Sequence, residues 1–260
     1  TQIMISVAVS NRFPVEALEE IYAGIQLACR RYKVDLVGGD TTSSQAGLVI
    51  NVTAVGLESS EKIISRNGVN PNDLLVVTGD LGGAYMGLQI LEREHSVYLK
   101  NPNMQPEMEG YDYILERQLK PEARTDIKGI LEELGVKPTS MIDVSDGLAS
   151  EVLHLSDRSK VGFRIYEEKI PMDELTISTA DEFNLNPVMT ALNGGEDYEL
   201  LFTISQSDFD KIKNNPDFTI IGHAVEEEQG NYLVLRGSNE LAELTAQGWD
   251  AYLKSKKKTE

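Results

Sequence analysis

The chain has 260 residues and a formal charge of −18, with 41% hydrophobic and 25% charged residues. That mixture excludes a disordered chain, and the acidic excess excludes a broad nucleic-acid face, because nothing here neutralises phosphates over a wide surface. Most of the excess reads as a solvated acidic surface, and a smaller share could be carboxylates grouped on metal ions.

Ile3 to Val9 is rich in Ile and Val and reads as a buried strand. Pro14 then opens a helical pattern with apolar residues at Val15, Leu18, Ile21, Ile25 and Ala28. Cys29 lies in that pattern as the single cysteine, expected to be a small buried hydrophobe. "VDLVGGD" reads as a short strand ending at Gly38-Gly39-Asp40, and "GLVINVTAVGL" as a long β-branched one.

"SRNGVNPND" carries turn chemistry throughout, so a boundary near it divides the chain into 1–70 and 71–260. "LLVVTG" is a strand leading through "GDLGGA" into a helix, and His95 to Met108 reads as a loop. Two helices follow, separated around Pro121, and then strand "SMIDV" and helix "GLASEVLHLSDRS". His154, on the apolar side of that helix, is expected to be a core residue. Strand "GFRIYEE", helix "MDELTISTADEF", strand "YELLFTI", helix "DFDKIKN" and strands "FTIIGHAV" and "NYLVLR" complete the pass. Without a strict βαβ rhythm, an α+β arrangement fits better than a doubly wound one. "KSKKK" near the end reads as a solvated tail. No stretch is apolar enough to span a bilayer and the opening residues read as a strand, so a cytoplasmic protein without a membrane partner is expected.

Three loops join small residues to acids at strand boundaries. In "GGDTT", glycines allow close backbone approach and Asp40 offers a hard oxygen, although "GGD" taken alone more often marks a plain turn. In "DVSDG", Asp143 and Asp146 can converge on one cation beside the Ser145 hydroxyl. A helix cap would explain one of these residues but not both aspartates. In "NGGEDYEL", Glu196 and Asp197 follow two glycines, and an exposed turn is the competing reading. Oxygen-rich clusters select Mg²⁺ or a similar hard ion, and magnesium with glycine loops suggests phosphate chemistry. No GxxxxGK[ST], GxGxxG or GxSxG is present, and the three histidines have no zinc-like spacing.

"LVGGDTT", "SRNGVNPNDLLVVTGDLGGAYMGL", "QLKPEAR", "MIDVSDGLASEVLHL", "GGEDYELLFT" and "GWDAY" occur in this order. The series resembles the thiamine-monophosphate kinases of the aminoimidazole ribonucleotide synthetase-like superfamily. "DVSDGL" is shared more loosely across that superfamily, whereas its combination with "GGEDYEL" is the kinase's. The resemblance implies a two-domain α+β fold of mixed sheets covered by helices. Residues 1–70 would be the remainder of an ATP-binding and dimerisation domain, and 71–260 the C-terminal domain. It implies a homodimer and Mg²⁺-dependent, direct in-line transfer from ATP to thiamine monophosphate. Asp40, Asp143 and Asp146 match metal positions; Gly39, Asp40, Arg66 and Ser145 match nucleotide positions. Glu196 and Trp249 match substrate positions, and Asp143, Asp146 and Arg66 would carry the catalysis. Tyr22 is expected to pack on its helix.

The family carries a further front segment with a "GDD"-type motif, so the N-terminal domain is expected to be incomplete and the chain as it stands weakly active or inactive. The alternatives are a selenophosphate synthetase or hydrogenase maturation factor type of enzyme, or a non-catalytic phosphate-binding fragment.

Overall fold

The computed structural model describes residues 1–45 and 47–247. Two compact units result, Thr1–Ile63 and a second beginning at Ile64. The first is a three-stranded sheet ordered β2-β1-β3 with one helix. Strand β1 (Gln2–Val9) runs parallel to β2 (Asp35–Ser43) and antiparallel to β3 (Leu48–Val55). Helix α1 (Val15–Tyr32) supplies the crossover that a parallel pair requires. Ile5 and Val7 are buried while Met4 and Ser6 are exposed, the period of two expected of a half-covered strand.

Two expectations change here. "GGDTT" does not end a strand: β2 continues through it, pairing Ile5 with Gly39 and Val9 with Ser43. Cys29 is only partly buried, because no residue of α1 is fully enclosed.

The second unit is a seven-stranded sheet ordered β10-β9-β6-β8-β4-β7-β5. Its strands are β4 (Leu74–Thr78), β5 (Ser140–Asp143), β6 (Val161–Tyr166), β7 (Leu200–Ile204), β8 (Phe218–Glu226), β9 (Asn231–Val234) and β10 (Leu241–Glu243). Neighbours are antiparallel except β6 and β9. Its helices are α2 (Gly83–Lys100), α3 (Asp112–Leu119), α4 (Ile127–Glu133), α5 (Leu148–Ser159), α6 (Glu174–Glu182), α7 (Pro187–Asn193) and the single turn α8 (Phe209–Ile212).

Strand β4 explains the layering. Leu75 and Val77 join a core with Leu148, Val152 and Leu155 of α5. Val76, on the opposite face, packs with Ile127 and Leu131 of α4 and Ile212 of α8. Both faces are covered, hence the unbroken apolar run. A third cluster joins Met86 and Ile90 of α2 to Ile114 of α3 and Ala180 of α6.

The segment Ser65–Asn70 is built into the second unit. The Met141 N–H donates to the Ser65 carbonyl at 3.1 Å, and Val69 is 6% exposed in the α5 core. Helix α2 runs through His95 to Lys100, where a loop was expected, since no proline interrupts it before Pro102. His154 is exposed, one position before the buried Leu155, so it is not a core residue. Among the described residues no helix is long and apolar enough to cross a membrane.

Candidate active site

The "DVSDG" loop joins β5 to α5. Asp143 closes the strand opposite Leu200 of β7, and Gly147 is the N-cap of the helix. Neither aspartate therefore occupies the capping position. Val144 between them is fully buried, which fixes the loop while Asp143 and Asp146 stay partly exposed.

A second loop, Gly194–Glu199, is laid directly on the first. The Glu196 N–H donates to the Ser145 carbonyl, the Tyr198 N–H to the Val144 carbonyl and the Val144 N–H to the Glu199 carbonyl, each at 2.8 Å. A Cβ on Gly195, at φ +70°, would lie 2.5 Å from the Ser145 carbonyl oxygen, so only glycine admits this approach. Glu196 and Tyr198 also have positive φ, +62° and +53°. Such a conformation costs a residue with a side chain about 1–2 kcal/mol. It is retained here between neighbours that over-determine the loop.

The paired acids separate completely. Glu196 is exposed, whereas Asp197 is 2% exposed, so two adjacent exposed acids are not what the turn contains. Asp197 turns inward to the start of α2, where its Oδ2 accepts from the Gly82 N–H at 2.8 Å and its Oδ1 from the Ala84 N–H at 3.4 Å. The "GDLGGA" helix start is thereby filled by the protein's own carboxylate. Burial pushes the Asp197 carboxyl up to about 7, against the opposing pull of the Gly82 N–H, Arg117 and the Ala84 N–H. Glu199, also buried, accepts from Arg117 Nη1 at 2.9 Å, Arg124 Nη1 at 2.8 Å and the Thr78 hydroxyl. These two arginines of the "ERQLKPEAR" stretch thus hold the carboxylates beneath the loop.

Tyr198 lies on the outer side with Glu196, and its hydroxyl donates to Glu196 Oε2 at 2.7 Å. That bond, burial and the charges of Glu196, Asp143 and Asp146 push the phenol up to about 12. Behind the first loop, Glu151 is 2% exposed; its Oε1 accepts from the Asp146 N–H at 3.2 Å and the Ser145 hydroxyl at 3.4 Å. Burial raises this carboxyl too, and the Asp146 N–H opposes the shift.

Arg66 Nη2 lies 3.9 Å from Asp143 Oδ1, with both side chains about half exposed. A pair so long and open adds little stability and leaves the guanidinium free for another anion. The backbone sets this proximity, since the Arg66 carbonyl accepts from the Ser159 hydroxyl at 3.3 Å.

Asp40 and Gly39 belong to the first unit. Gly39 is required by strand pairing, because its Cβ would fall 1.9 Å from the Ile5 carbonyl oxygen. Asp40 lines a groove of about 520 Å³ with Tyr22, Val37 and Thr41. Tyr22 reaches out of α1 to the Thr41 hydroxyl at 3.2 Å instead of packing only along its helix. Asp143, Ser145, Asp146, Arg66 and Glu196 are brought together in the second unit, whereas Trp249 lies outside the described residues. No group of three His, Cys, Asp or Glu side chains forms a metal cluster among the described residues. Carboxylate oxygens beside a hydroxyl are nevertheless the donor set that a hard divalent ion takes. Tyr198 and Glu151 went unnoticed in the sequence. For Tyr198 the alternation in "EDYE" is a signal, since it places Glu196 and Tyr198 on one side.

Residues 1–57 match the family model described as AIR synthase related protein, N-terminal domain. A thiamine-monophosphate kinase of Aquifex aeolicus is 33% identical over 233 residues, covering 88% of this chain and 69% of the relative. Across eight curated kinases of this name that it matches, the chain spans between 54% and 70% of their length. A solved structure of AaThiL complexed with AMPPCP and TMP superposes with a TM-score of 0.75 at 28% identity, over 97% of this chain and 74% of the other. Escherichia coli HypE, a hydrogenase maturation protein, matches with a TM-score of 0.70 at 17% identity, over 94% of this chain and 74% of the other, a likeness of fold alone.

Proposed function

The chain belongs to the thiamine-monophosphate kinase family, and we propose that it transfers the γ-phosphoryl group of ATP to the phosphate of thiamine monophosphate. An oxygen of the acceptor phosphate attacks the γ-phosphorus in line, the bond to the β-phosphate oxygen breaks, and ADP leaves. The products are ADP and thiamine diphosphate, with no covalent enzyme intermediate.

The observation that carries this reading is the fastening of the "DVSDG" loop to the "GGEDYE" loop through the Glu196, Tyr198 and Val144 N–H groups. It sets oxygen ligands for a cation beside a carboxylate suited to an organic cation. Asp143 and Asp146 would hold Mg²⁺ in the second unit, and Asp40 would be a metal ligand of the first. Bound there, the ion would neutralise the triphosphate and the charge developing on the transferred group. Arg66 reaches the phosphates with a planar fork of donors. Ser145 and Gly39 contact the nucleotide, and Glu196 and Trp249 hold the thiamine end. Asp143, Asp146 and Arg66 are the catalytic set.

We keep the homodimer through the first unit as part of the proposal. Its support is the exposure of Val49, Ile50, Val52 and Val55 along β3. The reaction belongs in the cytoplasm, where ATP is available.

Calorimetric titration of ATP with and without Mg²⁺ tests the reading against a non-catalytic phosphate-binding fragment. The expected result is metal-dependent ATP binding that Asp146→Asn weakens at least tenfold. Binding indifferent to the metal and to that substitution contradicts it.

A further inference from the structure

Tyr198 has no role in the reading above, yet its surroundings are unusual for a packing residue. It adopts a left-handed backbone, as Glu196 does, while Asp197 between them points into the protein. The two conformations turn the Glu196 and Tyr198 side chains to the same side. The Tyr198 N–H is spent on the Val144 carbonyl, inside the aspartate loop, so the ring is tied to that loop by its own main chain. Its hydroxyl then donates to Glu196 Oε2 at 2.7 Å. The tyrosine thus joins the aspartate loop, through its main chain, to the one exposed carboxylate of the second loop, through its hydroxyl.

We propose that Tyr198 is a positioning residue that fixes the Glu196 carboxylate for a cationic acceptor substrate, and so sets affinity for the acceptor and not for the nucleotide. The inference rests on the reading of Glu196 as the acceptor contact. A carboxylate on an exposed loop otherwise samples several rotamers, and a hydroxyl donor on one oxygen selects one of them. The other oxygen stays available to the ligand. The tyrosine ring adds an aromatic face beside the same carboxylate, which favours a delocalised organic cation over a metal ion.

The test is calorimetric titration of the whole chain with thiamine monophosphate, and separately with ATP and Mg²⁺. Tyr198→Phe removes one oxygen and keeps the ring, so folding is preserved. Its expected effect is an increase of about three- to tenfold in the Kd for thiamine monophosphate, with the ATP Kd and Tm unchanged. Glu196→Gln and the double variant complete a cycle. If Tyr198 acts through Glu196, the double variant binds no more weakly than Glu196→Gln alone. An unchanged acceptor Kd in Tyr198→Phe, a parallel loss of both ligands with a lower Tm, or additive losses in the double variant would each overturn the role. Wild-type chain that binds ATP with Mg²⁺ but no thiamine monophosphate would overturn the acceptor reading itself, and this inference with it.

Discussion

Asp197 shows how one buried carboxyl ties the site to the fold. Its ordinary value of 3.8 is raised to about 7 by burial, with Arg117, Asp80 and the Gly82 and Ala84 N–H groups around it. Between those values the folded state binds more protons than the unfolded chain. This group's contribution to stability is therefore complete below about pH 4 and is lost as pH rises through about 7. Asp197→Asn removes that dependence, so the gap between its urea midpoint and that of the wild type should change across this interval. Equal slopes for both proteins would contradict the assignment. Glu199 is a sharper case, because Arg117 and Arg124 both lean on it. Glu199→Ala removes the buried anion that the two guanidinium groups share, leaving Arg124 to Asp126 and Asp217 and Arg117 to Asp197 at 3.8 Å, and a loss of about 3 kcal/mol is expected in urea unfolding. The sequence could not separate Glu196 from Asp197. Adjacent acids look alike until partners are known, and Arg117 lies 80 residues from the Asp197 carbonyl to which it donates.

At the scale of elements, the two loops stand or fall together. Gly195→Ala would drive a methyl group into the Ser145 carbonyl at a backbone angle that disfavours any side chain. A loss of about 2–4 kcal/mol and of nucleotide binding together is expected. Stability lost with ATP affinity intact would show that the loops are not coupled. Most elements were legible because apolar periodicity and turn residues agree, as in β4 and α5. Helix α7 escaped notice although Asn186 caps it and Pro187 opens it, a start signal visible in "NP". Strand β10 spans only Leu241–Glu243 and owes its existence to pairing with β9, which no local pattern announces. The strand through "GGDTT" was cut short because paired glycines usually mark turns; here Gly39 serves close strand contact instead.

At the scale of the molecule, the two units differ in how their strands are covered. Leu75, Val76 and Val77 of β4 are fully buried, whereas every residue of β2 is exposed. Amide exchange should therefore be slowest in β4 and its neighbours β7 and β8, and faster by orders of magnitude in β2. Equal protection of β2 and β4 would mean that the β2 strand is covered in solution, and size measurement by ultracentrifugation would identify a dimer as the cover. The acids of the two second-unit loops are visible in the sequence one by one, whereas the main-chain bonds that fasten the loops together are not. Arg66 reaches Asp143 only because Ser65–Val69 is bound alongside β5 and α5.

The measurement that tests the account most directly is phosphoryl transfer from ATP to thiamine monophosphate by the chain extended with the family's front segment, compared with Asp143→Asn and Asp146→Asn in the same protein. The account predicts Mg²⁺-dependent formation of thiamine diphosphate, reduced about a hundredfold or more in either variant with Tm unchanged. Turnover that survives both substitutions, or no turnover by a folded wild-type protein, would contradict it.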